Sequence, residues 1–201
     1  MVTTRLFSWI QEADFYYRLH AEAVSHLPQA QGNQHWIDMG CGPGLVTRLA
    51  AARGYQALGI DVNPQMIAAA QRIAFREKSA ATFRVGSFED VLEASASVIS
   101  AASLLAVLPD PMAGLFALWR SVRLDGTLLI IEATAEMTVE HAQQLLRNGL
   151  PAKRKFGLYL WASARQGRVV DPSLYSRLPF AQRAYIPLLH GLVGAWILHK
   201  G

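Results

Sequence analysis

The chain has 201 residues, 52% of them hydrophobic and 17% charged, with a net charge of +4. That length sets the expectation of one domain with a sizeable core, and a charged fraction below the usual ~25% excludes disorder and low complexity. The single cysteine, Cys41, excludes a disulfide framework and a multi-cysteine metal site, and no metal is expected.

In chain order, Arg5–Leu27 reads as a helix on the spacing of Leu6, Trp9, Ile10, Ala13, Tyr16, Tyr17 and Val24, and Pro28 ends it. His35–Met39 is a short strand entering a glycine turn, and Leu45–Arg53 is helical. Gln56–Ile60 is a second strand, followed by Asp61 and a helix from Pro64 to Lys78. Thr82–Val85 and Ser97–Ala102 are the third and fourth strands, Met112–Val122 is a helix, and Thr127–Glu132 is the fifth strand. A helix over Thr138–Asn148 follows, then a helical Leu150–Arg168, and Tyr185–Lys200 reads as a strand pair or hairpin. Strands alternating with helices across short loops predict an α/β fold, a parallel sheet with helices on both faces. Met1–Phe7 hold no apolar leader run. Ala184–Leu198 is too short to span a bilayer and is broken by Pro187, His190 and two glycines, so a soluble, cytoplasmic protein is expected.

The charge is unevenly placed. Residues 1–141 hold 10 lysines and arginines against 14 acids, whereas residues 142–201 hold 9 against the single acid Asp171. A slightly acidic body with a basic last third points to an anionic partner: substrate, lipid surface or nucleic acid.

The strongest local signal is the strand and turn Trp36-Ile37-Asp38-Met39-Gly40-Cys41-Gly42-Pro43-Gly44. Gly40, Gly42 and Gly44 let the backbone turn sharply and approach a ligand closely. Asp61 ends the second strand about 20 residues on, where a carboxylate accepts hydrogen bonds from ribose hydroxyls. A dinucleotide fingerprint needs glycine after Gly44, but that residue is Leu45, and the lysine of a phosphate-binding loop is missing. Asp38 is a poor neighbour for pyrophosphate and a good one for an ammonium group. Acids at both ends of the site suit S-adenosylmethionine, which carries an amino group, a sulfonium and a ribose.

Together with Gly59–Met66, Phe83–Asp90, Leu105–Pro111 and Arg120–Glu132, the segment Ile37–Gly44 resembles class I S-adenosylmethionine-dependent methyltransferases. The likeness is greatest to the small-molecule group that includes quinone- and biotin-pathway enzymes, and it spans roughly residues 13–134. It implies a Rossmann-like, doubly wound, mostly parallel sheet with helical lid elements. Residues 1–34 would be an N-terminal helical lid, 35–134 the cofactor core, and 135–201 a basic acceptor lid with C-terminal strands. It also implies S-adenosylmethionine as cofactor, S-adenosylhomocysteine as product and a small-molecule methyl acceptor. Gly40, Gly42 and Gly44 would wrap the methionyl portion, with Cys41 in the turn as filler rather than nucleophile, and Asp38 would face the amino group. Asp61 would hold the ribose, Val62 and Met66 would pack near the adenine, and Ser87 and Phe88 would meet its edge. Tyr17, on a helix resembling one that lays an aromatic over the cofactor, and Ala102, ending the fourth strand, complete that set.

The chain departs from this pattern in three places. Ser87 stands where the family usually has aspartate, so either Ser87 or Glu89 would take the adenine amine. Ser97 replaces an acid, and Val107 stands where histidine is frequent, which leaves an apolar or hydroxyl-lined acceptor floor without a general base. A methyl sulfonium needs chiefly in-line approach and exclusion of water, and an ionised acceptor needs no base. An acceptor that must lose a proton would draw on His141, His190 or His20.

In the basic third, Lys153-Arg154-Lys155 precede Leu158, Leu160 and Trp161, and Arg165 and Arg168 follow. Three readings stand: Arg165 or Arg168 pairs with an anionic acceptor, the segment makes peripheral contact with an anionic membrane, or it is a solvated basic face. Three functions follow in turn. The first is methyl transfer to a small apolar or anionic acceptor. The second is nucleic-acid methylation, against which no Asn/Asp-Pro-Pro-aromatic motif follows the fourth strand. The third is cofactor binding without turnover.

Overall fold

A computed structural model describes residues 9–150, 156–165 and 167–201. Among them, seven strands form one sheet: β1 (His35–Met39), β2 (Gln56–Asp61), β3 (Thr82–Val85), β4 (Ala96–Ala102), β5 (Val122–Ala133), β6 (Gln182–Leu188) and β7 (Val193–His199). The spatial order is β3-β2-β1-β4-β5-β7-β6. β1 to β5 run parallel, whereas β7 lies antiparallel to both β5 and β6. Beyond the helical turn at residues 9–11, the α-helices among the described residues are α1 (Asp14–Ser25), α2 (Leu45–Ala52), α3 (Pro64–Arg76), α4 (Pro111–Ser121), α5 (Val139–Arg147) and α6 (Phe156–Arg165). This is the doubly wound, Rossmann-like arrangement that the sequence predicts.

The period-two geometry of a strand sorts the core into two layers. Leu129, Ile131 and Ala133 of β5 pack with α1, α2 and α6 on one face. Leu128 and Ile130 pack with α4 and with Tyr175 on the other. Strand order reverses between β1 and β4, and in open parallel sheets ligands sit beyond the strand C-termini at such a switch point. Asp38 sits in that crevice, in register with Gly59 of β2 and Ser100 of β4.

Three boundaries differ from expectation. The predicted helix over Arg5–Leu27 lies outside the described residues as far as Ser8 and breaks at Glu12–Ala13, where Ala13 is extended (ψ 140°). Ile10 and Ala13 stay buried on either side of the break, and the extended Ala13 serves as the N-cap from which α1 starts. The helix expected to reach Val122 stops one residue earlier, because Val122 already pairs with Ala96 as the start of β5. The next pair is Val98 with Thr127, so the chain bulges across Arg123–Gly126, with Asp125 in the left-handed region (φ 57°) that aspartate tolerates. The helix expected over Leu150–Arg168 is described as α6 alone, and Lys153-Arg154-Lys155 lie outside the described residues. No described helix is long and apolar enough to cross a membrane.

Candidate active site

Two buried acids organise the strand ends. Asp38 receives the Thr47 hydroxyl on Oδ2 and the Ser100 hydroxyl on Oδ1, each at 2.8 Å, and Ser100 in turn accepts the Trp36 indole N–H at 2.7 Å. This chain of bonds ties β1 to α2 and β4. Burial pushes the Asp38 carboxyl up to about 6, against the pull of its two hydroxyl donors. Asp61 accepts the backbone N–H of Gly42 on Oδ2 (2.9 Å) and that of Asn63 on Oδ1 (2.8 Å), which fixes the glycine turn against the end of β2. Each of its oxygens keeps a further lone pair for a ligand hydroxyl.

The glycines differ in what they do. A Cβ on Gly40 (φ +64°) would stand 2.7 Å from Leu104 Cδ1, so its absence brings the β4 loop close to the turn. A Cβ on Gly44 (φ +80°) would stand 2.4 Å from the Phe83 ring, which makes Gly44 a packing glycine at the N-terminus of α2.

A cavity of about 460 Å³ opens over these strand ends. On one side it is lined by Gly40, Gly42, Asp61, Val62, Met66, Ser87 and Phe88, which the sequence assigns to the cofactor. On the other it is lined by Ile10, Leu104, Val107, Leu108, Trp161 and Arg165, with Ala102 and Ser103 between. The adenine-side hydroxyl, Ser87 Oγ, donates to the Glu89 carboxylate and accepts the Asp90 N–H in a capping box, while Glu89 itself stays off the lining. Val107, which stands where histidine is frequent, is on the lining.

A small cleft beside this cavity is lined by Tyr16, His20, Asp38, Gly40, Cys41 and Ala102. The Cys41 thiol is buried and donates to Gly42 O (3.6 Å), and burial raises its pKa, which suits filler and not a nucleophile.

Other expected residues lie elsewhere. Tyr17 is half-exposed and off the lining, while Tyr16 points inward, since successive helical residues diverge by about 100°. His141 is on the surface at the start of α5, its Nδ1 bonded to Glu136 O (2.9 Å) and 3.2 Å from the Glu136 carboxylate. His190 is exposed in the β6–β7 turn and lines a separate groove with Phe15, Leu19 and Pro187. Leu158 and Trp161 are in the core, so neither offers an outward membrane face.

Sequence reasoning overlooked Glu132. It ends β5 fully enclosed and accepts the N–H of Leu105 at 2.7 Å, with those of Leu104 and Ala106 also turned toward it. One carboxylate thus pins the β4 loop that forms the cavity wall. An acid closing the otherwise apolar run Leu128–Ile131 was the available signal.

The lining suits S-adenosylmethionine: a turn without a Cβ at Gly40, an Asp61 carboxylate with lone pairs to spare and the buried acid Asp38 beneath the turn. The sheet has the class I methyltransferase fold, and the cavity lies at the strand ends where such sheets bind ligands. A methyltransferase domain model matches residues 37–130. Ubiquinone biosynthesis O-methyltransferases of Xanthomonas campestris and Xanthomonas oryzae are 26% and 29% identical over 163 residues, covering 74% of this chain and 68% of theirs. A Methanococcus maripaludis structure, provisionally described as an S-adenosylmethionine-dependent methyltransferase, superposes at TM-score 0.70 with 15% identity, covering 98% of this chain and 91% of that one. The plantazolicin methyltransferase bound to S-adenosylhomocysteine gives 0.64 with 14% identity, covering 98% and 90%. Residues 37–130 thus hold a methyltransferase domain in a class I fold, which supports S-adenosylmethionine as the cofactor and S-adenosylhomocysteine as the product.

Proposed function

We propose that this enzyme methylates a small acceptor with an apolar body, as the quinone-pathway names of its relatives suggest. One observation carries the reading: a single cavity joins the residues suited to the cofactor to the apolar wall made by the β4 loop and α6. S-adenosylmethionine, when bound, supplies a methyl group already activated by the sulfonium. Asp61 would hold the ribose, Gly40 would let the backbone pass close, and Asp38, beneath the turn, would attract the amino group. Leu104, Val107, Leu108 and Trp161 would exclude water and orient the acceptor for in-line approach.

Proton removal by His141 or His190 draws no support from their positions, and among the described residues no histidine lines the cavity. The division into lid, core and basic lid and a cytoplasmic setting remain part of this proposal, the latter checked by cell fractionation. Calorimetric titration with S-adenosylhomocysteine tests the donor site. Binding is expected, and Asp61→Ala should weaken it by roughly tenfold or more, as for loss of hydrogen bonds to a charged group. Absence of binding to the unaltered protein would sink the reading. Transfer of labelled methyl into fractionated metabolites, with tRNA as a parallel arm, identifies the acceptor pool.

A further inference from the structure

The acceptor side of the cavity holds a buried positive charge that the protein leaves without an ionic partner. Arg165, in the last turn of α6, is 6% exposed and lines the cavity, and its Nη2 donates to Ser103 O at 2.8 Å. Among the described residues no carboxylate comes within ion-pair distance of it. Glu132 attracts it electrostatically from beyond ion-pair distance; one Glu132 oxygen takes the Leu105 N–H and the other, Oε2, has no hydrogen-bond partner. A guanidinium offers five N–H donors, and a buried charge is ordinarily paired. Arg168 lines the same cavity from an exposed position and makes no ion pair among the described residues either.

Among the described residues the remaining wall is apolar apart from Ser103, and the one carboxylate on the lining, Asp61, belongs to the cofactor side. Positive charge and spare donors set in hydrocarbon select a ligand with an apolar body and a negatively charged oxygen head.

We propose that the acceptor is a hydrophobic carboxylic acid bound as its carboxylate, with Arg165 as the specificity-determining anchor and Arg168 at the rim. The inference rests on the methyl-transfer reading above. A carboxylate has two oxygens, so one can be held by Arg165 while the other attacks. The free oxygen's lone pair forms the bond to the methyl carbon, and the carbon–sulfur bonding pair returns to sulfur. Carboxylate and sulfonium charges cancel, the products are a methyl ester and a neutral thioether, and no proton moves. A cavity lined without histidine is what such an acceptor requires.

The test uses the full chain saturated with S-adenosylhomocysteine and titrated calorimetrically with straight-chain carboxylates of graded length and with cinnamate. The alcohol and amine of the best-binding length serve as comparison. The carboxylate should bind at least tenfold more tightly than either. Arg165→Gln should weaken it roughly 10- to 100-fold with S-adenosylhomocysteine binding intact, Arg165→Lys should retain part of the affinity, and Arg168→Gln should weaken it less. Arg123→Gln, at the opposite end of β5, should change nothing. With labelled S-adenosylmethionine, the same carboxylate should give a base-labile methyl ester. Equal binding of alcohol or amine overturns the proposal, as does no binding by any carboxylate, or methylation of a phenol but no carboxylate. So does undiminished carboxylate binding in Arg165→Gln. If S-adenosylhomocysteine itself fails to bind, the methyl-transfer reading falls and this proposal with it.

Discussion

Asp38 and His20 face the same cleft, and enclosure moves both toward their uncharged forms. Burial pushes His20 down to about 4, although its Nδ1 is hydrogen-bonded to Tyr16 O at 2.8 Å and its ring packs 4.2 Å from that of Tyr16. Above pH 6.5 the imidazole is neutral whether the chain is folded or not, and its contribution is complete. Between pH 6.5 and about 4 the unfolded chain binds a proton that the folded one refuses, so stability falls with pH across that window. Asp38, raised to about 6, and Glu132, raised to about 7, act with the opposite sign: the folded state takes up their protons first as pH falls, which stabilises it. Comparison with His20→Gln isolates the histidine. Relative to that variant, the wild type should lose about 3 kcal/mol between pH 6.5 and 4 in denaturant titrations, and parallel pH curves would refute the assignment.

At the scale of elements, the β1–α2 turn and the β4 loop are each held by one local device. Gly44→Ala would force a side chain into the left-handed region and against the Phe83 ring. The expected cost is about 2–4 kcal/mol, read from the urea midpoint, and Phe83→Ala in the same chain should recover the steric part. Glu132→Ala would leave the buried Leu105 N–H without its acceptor and remove the charge that the neighbouring Leu104 and Ala106 N–H groups face. It should destabilise the protein by about 3 kcal/mol and speed hydrogen exchange at those amides, whereas Glu132→Gln keeps an acceptor oxygen and should preserve most of their protection. The glycine turn was legible in the sequence because only backbone without a Cβ can make it. The carboxylate pinning the β4 loop was not, because 27 residues separate Glu132 from Leu105 and strand pairing alone brings them together.

For the molecule as a whole, the cavity draws its walls from the ends of β1 and β2, the β4 loop and α6, so a ligand bound there fastens elements far apart in sequence. S-adenosylhomocysteine at a hundred times its Kd should stabilise the fold by about 2.7 kcal/mol and raise Tm by roughly 5–10 °C. A smaller shift in Asp61→Ala at the same concentration would locate that gain at the site. The basic last third also looks different once folded. Of its cations, Arg165 is buried at the cavity and Lys200 is turned back onto the carbonyls of Trp119 and Val122, at 3.0 and 2.7 Å. Net charge by region therefore says little about which cations a partner can meet.

By itself the sequence determined the strand–helix alternation, the glycine turn, the acids at the ends of β1 and β2 and hence the cofactor class. These are local patterns, governed by backbone sterics and by the period of a strand or helix. Only the tertiary structure decided that Tyr16 rather than Tyr17 faces the cleft, that His141 and His190 stand apart from the cavity, and that Arg165 is enclosed without an ionic partner. Those outcomes depend on how α1, α6 and the β6–β7 turn pack against the sheet. That packing is a sum of long-range contacts, and no window of the sequence contains it.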